Sequence, residues 1–542
     1  MKRPYLFLLF VILIASILRF WHLGINPPSL TWDEVAWGYN AYALGSDGKD
    51  EFGRFLPYDY LESFGDFKPP IYAYLDILPI KIFGLTAFAV RFPSAVFGVL
   101  TVLITFFLTQ KIFYSLNTAE KGTIGLLASF LLAISPWHIN LSRAAFEANV
   151  ATFFVVTGIW LFLGGTQGKR WWLSGAAVCF VLSMYTFNTP RIVSPLLVLA
   201  LCGGFLTFIF KRKREVTIAG IIGLLLLLPS ISFLLSPQAS LRFREVNIFS
   251  DISVIERTNQ EITNDRNVWW SKIIHNRRLV YGVEYLHHYF DNLTPKFLFI
   301  SGDGNPKFST QDIGQMYLWE IPFLIAGVLL LFKKKTGNWW VIPLWCIIAI
   351  IPAATARETP HALRIETILP APQILVAFGI YSLFSLIKKQ RLIITRALLA
   401  VVVFLSSLYY LHGYYVHYSR EFSGEWQYGY EEAINYTESV KSAYDAIHIT
   451  TALGRPYIYM LFYTKTPPEN FRKSAIVQRD AFGFVTVESV GKYSFAKNVH
   501  DKTKNNEKIL YINTPGEVPP GANKLQTFYL LNGNPSLIAY TL

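Results

Sequence analysis

Eleven apolar runs constrain this chain more than any other feature. They fall at about 4–22, 92–110, 122–137, 148–164, 171–187, 192–210, 217–235, 317–332, 339–355, 365–387 and 393–412. Most approach the roughly 18–20 apolar residues that a helix needs to cross a bilayer. The composition agrees: 52% of the 542 residues are hydrophobic and only 16% are charged, against about 25% charged in an average soluble domain. The pattern predicts an α-helical polytopic membrane protein with about 11 transmembrane helices. In such a chain a net charge of +13 does not point to nucleic acid, because Lys and Arg collect on cytoplasmic loops and set orientation. Cys179, Cys202 and Cys346 all lie inside apolar runs and read as small buried hydrophobes rather than disulfides or metal ligands. Lys2, Arg3 and the first run would suit a signal peptide. Arg19, Trp21 and His22 close that run without a small-residue cleavage site, so a retained anchor helix is expected.

The stretch at 71–86 is short and holds Asp76, Pro79 and Lys81. Counting it as a span would put the basic clusters at 167–170, 211–214, 333–335 and 388–391 outside. Leaving it out, with the N-terminus cytoplasmic, puts all four inside. It is therefore expected to be an interfacial or re-entrant helix in the outer leaflet. The outer face then carries a first loop (23–91), a second loop (236–316) and an extracytoplasmic C-terminal domain (413–542) that follows a membrane domain at 1–412. The C-terminal segment is polar and mixed. EEAINYTESVKSAY reads as a helix, and AIHITT, FGFVTVESV, KILYIN and LQTFYLL as strands, which predicts a small α/β or α+β module.

The outer face is where chemistry is expected. Lys68, Arg91, Arg143, Arg191, Arg357 and Arg364 lie at or near outer ends of spans, where charge is costly and has partners or a task. Arg binds phosphate through paired hydrogen bonds and Lys as a point charge; lipid headgroups and neighbouring acids are the structural alternative. Acids stand beside these cations: Asp33 and Glu34 after the first span, Asp66 before Lys68, and Glu147 four residues after Arg143, on one helical face. Carboxylates among phosphate-binding cations suit glycosyl or phosphoryl transfer, one acid taking a proton from an acceptor hydroxyl. Arg143 and Glu147 would equally make a helix-end ion pair, and Asp33 and Glu34 a helix cap. His138, His287, His288 and His361 are scattered, and no HExxH or CxxC pattern supports a metal. A phosphate-binding glycine loop is also missing. A transferase acting outside, away from nucleotide sugars, needs a donor already in the membrane, such as a polyprenyl-phosphate sugar.

Four stretches, in order, carry a resemblance: TWDEVAWGYNAYAL, DFKPPIYAYLDILPIKIFG, FAVRFPSAVFGVLTVLITFFL and SPWHINLSRAAFEANVATFFVV. Over roughly residues 1–390 the chain resembles the GT-C membrane glycosyltransferases. It is most similar to their protein O-mannosyltransferase-like group, with the bacterial aminoarabinose transferases and Rgt-type transferases. The resemblance implies that Asp33 is the first-loop general base or acceptor-orienting acid, with Glu34 beside it on the acceptor side. It implies that Lys68 and Arg91 meet the donor phosphate, that Glu147 fills a position where many members carry Asp, and that His361 and Arg364 in ETPHALRIETILP join the phosphate's ligands. Arg143 is grouped with these cations on spacing. Phe67 stands where the aminoarabinose transferase has an acid, and no Asp-x-Asp motif is present, so no obligatory metal or other cofactor is expected.

The function expected is thus an inverting, integral-membrane glycosyltransferase of the plasma or inner membrane. It would move a sugar from a polyprenyl-phosphate donor to a hydroxyl of a protein, lipid or glycan acceptor, with membrane lipids around it and no nucleic-acid partner. Two alternatives differ in class: an O-antigen ligase or polymerase that uses a lipid-pyrophosphate oligosaccharide, and a lipid or sugar transporter. Transporters place polar residues mid-membrane and show inverted repeats; here the charges gather at one face and no repeat is visible.

Overall fold

Every one of the eleven apolar runs is helical in the computed structural model, which describes residues 2–236, 239, 247–480, 485–501 and 507–542. Among these residues five helices are long and apolar enough to cross a membrane: Ala87–Ile112, Glu147–Thr166, Lys213–Leu234, Glu366–Phe384 and Gln390–Glu421. The pair Thr118–Ile134 and Pro136–Ser142, bent by 58°, makes a sixth if it is one span. Four more apolar helices, Pro4–Phe20, Trp172–Met184, Pro190–Gly204 and Val341–Thr355, are shorter. Ile71–Phe83 is a helix of 13 residues, about 20 Å long at 1.5 Å per residue, short of a bilayer core of about 30 Å. The start of the expected second loop, at 237–246 apart from residue 239, lies outside the described residues.

The chain forms two compact units. One comprises Met1–Leu18, Phe97–Leu141 and Ala148–Leu408 and is helical. Its closest helix packing is made by small residues, since a Cβ on Gly379 would lie 2.0 Å from the Phe323 carbonyl oxygen and one on Gly327 2.1 Å from that of Leu375. Glycines of this kind let two apolar helices approach at backbone distance. In the same unit, Ile252–Asn264 and Arg277–Asp291 are helices of the second loop.

The other unit comprises Arg19–Val96, Ser142–Glu147 and Tyr409–Leu542. The sequence divides the chain at 412, whereas here the C-terminal segment packs with the first loop. The reason is that loop carbonyls and carboxylates around residues 30–62 take their hydrogen-bond donors from residues beyond 450. The C-terminal segment holds a seven-stranded sheet in the order β4 (Ala475–Arg479), β5 (Val485–Val490), β6 (Tyr493–Ala496), β3 (Ala446–Thr450), β7 (Ile509–Asn513), β9 (Pro535–Thr541) and β8 (Asn523–Tyr529). β3 runs parallel to both β6 and β7, and the remaining pairs are antiparallel. The parallel centre is buried, as parallel pairs require: every residue of β7 is buried. Val499, Ile509, Tyr511, Ile538 and Tyr540 form a core on one side. The four strands and the helix read from sequence are all present, the helix as Tyr430–Val440. Residues 482–484 of the expected strand FGFVTVESV lie outside the described residues. β4, β6, β9 and the helices Pro456–Tyr463 and Pro468–Ser474 were not apparent from the sequence.

Candidate active site

The site is built on two local devices of the first loop. Thr31 caps the helix Trp32–Asp47, and Glu34 completes a capping box: the Glu34 amide donates to Thr31 Oγ1 at 3.4 Å and the Thr31 amide to Glu34 Oε2 at 2.9 Å. The pattern Thr-x-x-Glu is a legible sequence signal for this start. The box turns Glu34 inward and leaves its neighbour Asp33 at the helix edge, with 52% of its side chain exposed. The second device is a hairpin of β1 (Leu61–Ser63) and β2 (Asp66–Lys68). Phe64 and Gly65 join the strands with φ of 62° and 78°, the paired positive angles of a tight type I′ turn, in which Gly is at ease. Residues two apart share a face of a strand, so Asp66 and Lys68 lie together with Phe67 opposite. Pro69 and Pro70 then lead into the helix Ile71–Phe83.

These devices bring Lys68 to Asp33, and the two side chains form an ion pair. Lys68 is nearly buried, with 9% of its side chain exposed. Its ammonium lies 5.2 Å from the ring centroid of Trp37 and 5.4 Å from that of Phe64, within cation–π reach. Burial draws its pKa down, but the carboxylates of Asp33, Asp66 and Glu147 outweigh burial and leave it raised. Lys68 therefore stays an ammonium at neutral pH. The structure thus gathers Asp33, Asp66, Lys68 and Glu147 into one electrostatic cluster, with Glu147 opening the helix Glu147–Thr166.

Glu34, Arg91 and Arg143 stand behind this cluster, and their hydrogen bonds are committed. Arg91 Nε donates to Glu34 Oε1 at 2.8 Å in a pair with 0% and 1% side-chain exposure. Its remaining N–H groups go to the carbonyls of Leu23, Pro27 and Ser29 and to Glu34 Oε2. All five donors of a guanidinium are used. Glu34 Oε1 also accepts from the Ala145 amide, at 3.0 Å. Arg143 donates to the carbonyls of Arg19, Trp21 and Asn26 and to the Tyr414 hydroxyl. The sequence grouped Arg91 and Arg143 with the phosphate ligands; here they satisfy carbonyls of the irregular, proline-containing stretch 19–30, which has no ladder to join. The capping alternative weighed for the acid pair is realised by Glu34 and not by Asp33.

His361 and Arg364 belong to the helical unit. The His361 amide donates to Asn292 Oδ1 at 3.0 Å, and its Nδ1 lies 3.8 Å from Asp303 Oδ2. Burial, then the charge of Arg364, lowers the His361 pKa to about 3, so the ring is neutral. Burial raises Asp303 to about 6. Among the other expected cations, Arg191 donates to the Met184 carbonyl and Arg357 to that of Asn247. His288 Nδ1 meets the Ala356 carbonyl at 2.9 Å, and His287 faces Asp291. Among the described residues no group of three or more His, Cys, Asp or Glu is arranged to hold a metal ion.

The first loop also holds a buried polar network that no sequence motif marks. Glu51 accepts from Asn40 Nδ2 at 3.4 Å and from the Tyr457 hydroxyl at 3.5 Å, and its amide donates to Asn40 Oδ1 at 2.9 Å. Burial raises the Glu51 pKa to about 8 against the hydrogen bonds from Ser63 and Asn40. Arg479 pairs with Glu62, and Arg472 pairs with Asp47 and donates to the Asp50 carbonyl. Nothing local announces these pairs, since partners lie more than 400 residues apart.

Comparison with known proteins agrees with the motif resemblance. Residues 9–187 match the sequence model of the family described as dolichyl-phosphate-mannose-protein mannosyltransferase. A protein of Aquifex aeolicus (strain VF5), described as uncharacterized, is 30% identical over 192 residues, 34% of this chain and 35% of its own. YkcB of Bacillus subtilis (strain 168), named as a candidate mannosyltransferase, is 30% identical over 126 residues, 23% of this chain and 16% of its own. The chain therefore spans about a third and about a sixth of the length of the curated relatives it matches. Two crystal structures of ArnT from Cupriavidus metallidurans, apo and bound to undecaprenyl phosphate, share the fold. Their TM-scores are 0.55 and 0.54 at 10% identity, and they cover 98% and 99% of this chain and 97% and 98% of theirs. The chain is thus similar in sequence to the dolichyl-phosphate-mannose-protein mannosyltransferase family over residues 9–187, and in fold to ArnT along its length.

Proposed function

We propose that this chain is an integral-membrane glycosyltransferase that moves a sugar from a polyprenyl-phosphate donor to an acceptor hydroxyl on the extracytoplasmic face. One observation carries the reading: a nearly buried, charged Lys68 whose partner, Asp33, is half exposed. A buried ammonium needs an anion beside it. Asp33 fills that need at rest, and a donor phosphate that takes Lys68 leaves Asp33 to face the acceptor.

In the proposed step the acceptor oxygen attacks the anomeric carbon with inversion. Its proton passes to the Asp33 carboxylate. The bond from the anomeric carbon to the phosphate oxygen breaks, and polyprenyl phosphate leaves with the electron pair. Lys68 offsets the charge that gathers on the leaving oxygen, which is where a fixed cation contributes most. Asp66 and Glu147 keep Lys68 protonated and aimed. Glu34, Arg91 and Arg143 hold the loop that carries both groups. The resemblance adds His361 and Arg364 to the phosphate's ligands; since His361 is neutral, Arg364 supplies the charge of that pair. The four basic loop clusters support an N-terminus in the cytoplasm and the first loop outside.

The test is transfer from a panel of labelled polyprenyl-phosphate monosaccharides in membranes that contain the protein. One donor should release polyprenyl phosphate, and Asp33→Asn should lower the rate about 10²- to 10⁴-fold, the usual share of a positioned base, with insertion unchanged. Near-normal turnover in Asp33→Asn would rule out the assigned base, and no turnover of any donor would remove the transferase reading.

A further inference from the structure

A groove on the C-terminal module lies apart from this cluster. It has a volume of about 500 Å³, inside the range of about 300–1,000 Å³ typical of small-molecule sites. One wall is a helix face. Glu432 and Tyr436 stand four apart on one side of the helix Tyr430–Val440, and Tyr428, before the helix, lines the groove with them. The other wall is β8, the last strand of the sheet, through Gln526, Phe528 and Tyr529. Tyr436 and Phe528 meet edge to face at 5.8 Å. Tyr529 is 56% exposed, a large aromatic face open to solvent among the described residues.

The walls are tied together. The Leu531 amide donates to Ser423 Oγ at 3.2 Å, and Ser536 Oγ donates to the Tyr428 carbonyl at 3.0 Å. The β8–β9 turn is closed by the Leu530 amide on the Asn534 carbonyl at 2.7 Å. A groove pinned on both sides loses little entropy on binding.

We propose that this groove binds an oligosaccharide, and that the C-terminal module thereby holds a glycan acceptor. Tyrosines offer flat apolar faces with a negative π-cloud, on which the C–H groups of a sugar ring rest as weak donors. Glu432 beside the Tyr428 hydroxyl and Gln526 supply an acceptor-rich carboxylate and a two-way amide for sugar hydroxyls. An extended peptide added to β8 would want deep apolar side-chain pockets, whereas this lining alternates rings with polar groups. The groove itself stands on geometry alone; naming its occupant as the acceptor rests on the transferase reading above.

The experiment uses the full-length protein in nanodiscs, titrated with mannotetraose, cellotetraose and maltotetraose, and with a Ser/Thr-rich peptide as the rival occupant. At least one tetrasaccharide should bind. Tyr529→Ala, at an exposed position, should weaken it roughly tenfold with thermal unfolding unchanged, Glu432→Gln should weaken it too, and Asp33→Asn should bind as the wild type does. In transfer to the same glycan, Tyr529→Ala should raise the acceptor KM and leave kcat alone. Binding of no tetrasaccharide, equal binding by Tyr529→Ala, or binding of the peptide alone would each overturn the proposal. If no donor turns over while the tetrasaccharide still binds, the transferase assignment fails and the groove stands. If binding fails while Asp33→Asn abolishes transfer, the groove fails and the assignment stands.

Discussion

Arg91 spends all five of its N–H groups inside the first loop, three of its contacts being backbone carbonyls and the rest Glu34. Its role follows from that count: it replaces the donors that an irregular buried loop lacks. Arg91→Lys keeps the charge but offers three donors from a flexible point in place of a planar fork. We predict that Arg91→Lys and Glu34→Gln each destabilise the protein by about 3–5 kcal/mol, the cost of breaking a buried pair, read as a fall in unfolding temperature before any effect on kinetics is meaningful. Equal stability to the wild type would contradict the role. Asp33→Asn should cost less, because Asp33 is half exposed, makes no part of the capping box and leaves Asp66 and Glu147 to offset the charge of Lys68. The structure pairs Asp33 with Lys68 and Glu34 with Arg91, a sorting that the sequence does not show. An arginine that satisfies loop carbonyls and one that meets a phosphate have the same side chain. The signals that separate them are the Thr31-x-x-Glu34 box, which turns Glu34 inward, and the two prolines at 27 and 28, which deprive the loop of regular pairing.

At the scale of elements, the helix Trp32–Asp47 and the hairpin Leu61–Lys68 are held by the Glu51 network as well as by their own caps. Glu51 ionises near 4.5 when unfolded and holds its proton to about 8 when folded. Between those values the folded state binds the extra proton, so stability falls as pH rises through that window. The slope is at most about 1.4 kcal/mol per pH unit from this group. Unfolding temperature measured by intrinsic fluorescence in detergent should therefore decline from pH 5 to pH 8 more steeply in the wild type than in Glu51→Gln, whose side chain is neutral throughout. Identical slopes would show that Glu51 is already ionised in the fold. Helices were the most legible elements, because hydropathy is a local property and each apolar run is helical. The strands β4 and β6 were not, since β4 has no residue fully buried and β6 is only four residues long, too little alternation to stand out.

For the whole molecule, the C-terminal segment serves the first loop. Tyr459 donates to the Leu30 carbonyl and Tyr39 to that of Thr466, each at 3.0 Å, while Arg479 and Arg472 pair with Glu62 and Asp47. A chain that ends at residue 412 should be poorly extracted and protease-sensitive in the first loop, and co-expression of 413–542 should restore it; a resistant first loop in the truncated chain would contradict the packing. Such long-range pairs are what sequence reading misses, because no periodicity links residue 62 to residue 479. The central claim is that Lys68 is shared, held by Asp33 at rest and by the donor phosphate in the reaction. Its most direct test is the affinity of the purified protein for polyprenyl phosphate. Lys68→Ala should lose that affinity, and Asp33→Asn, which frees the ammonium and removes a like charge, should gain it while losing transfer. Unchanged binding in Lys68→Ala, or weaker binding in Asp33→Asn, would contradict the account.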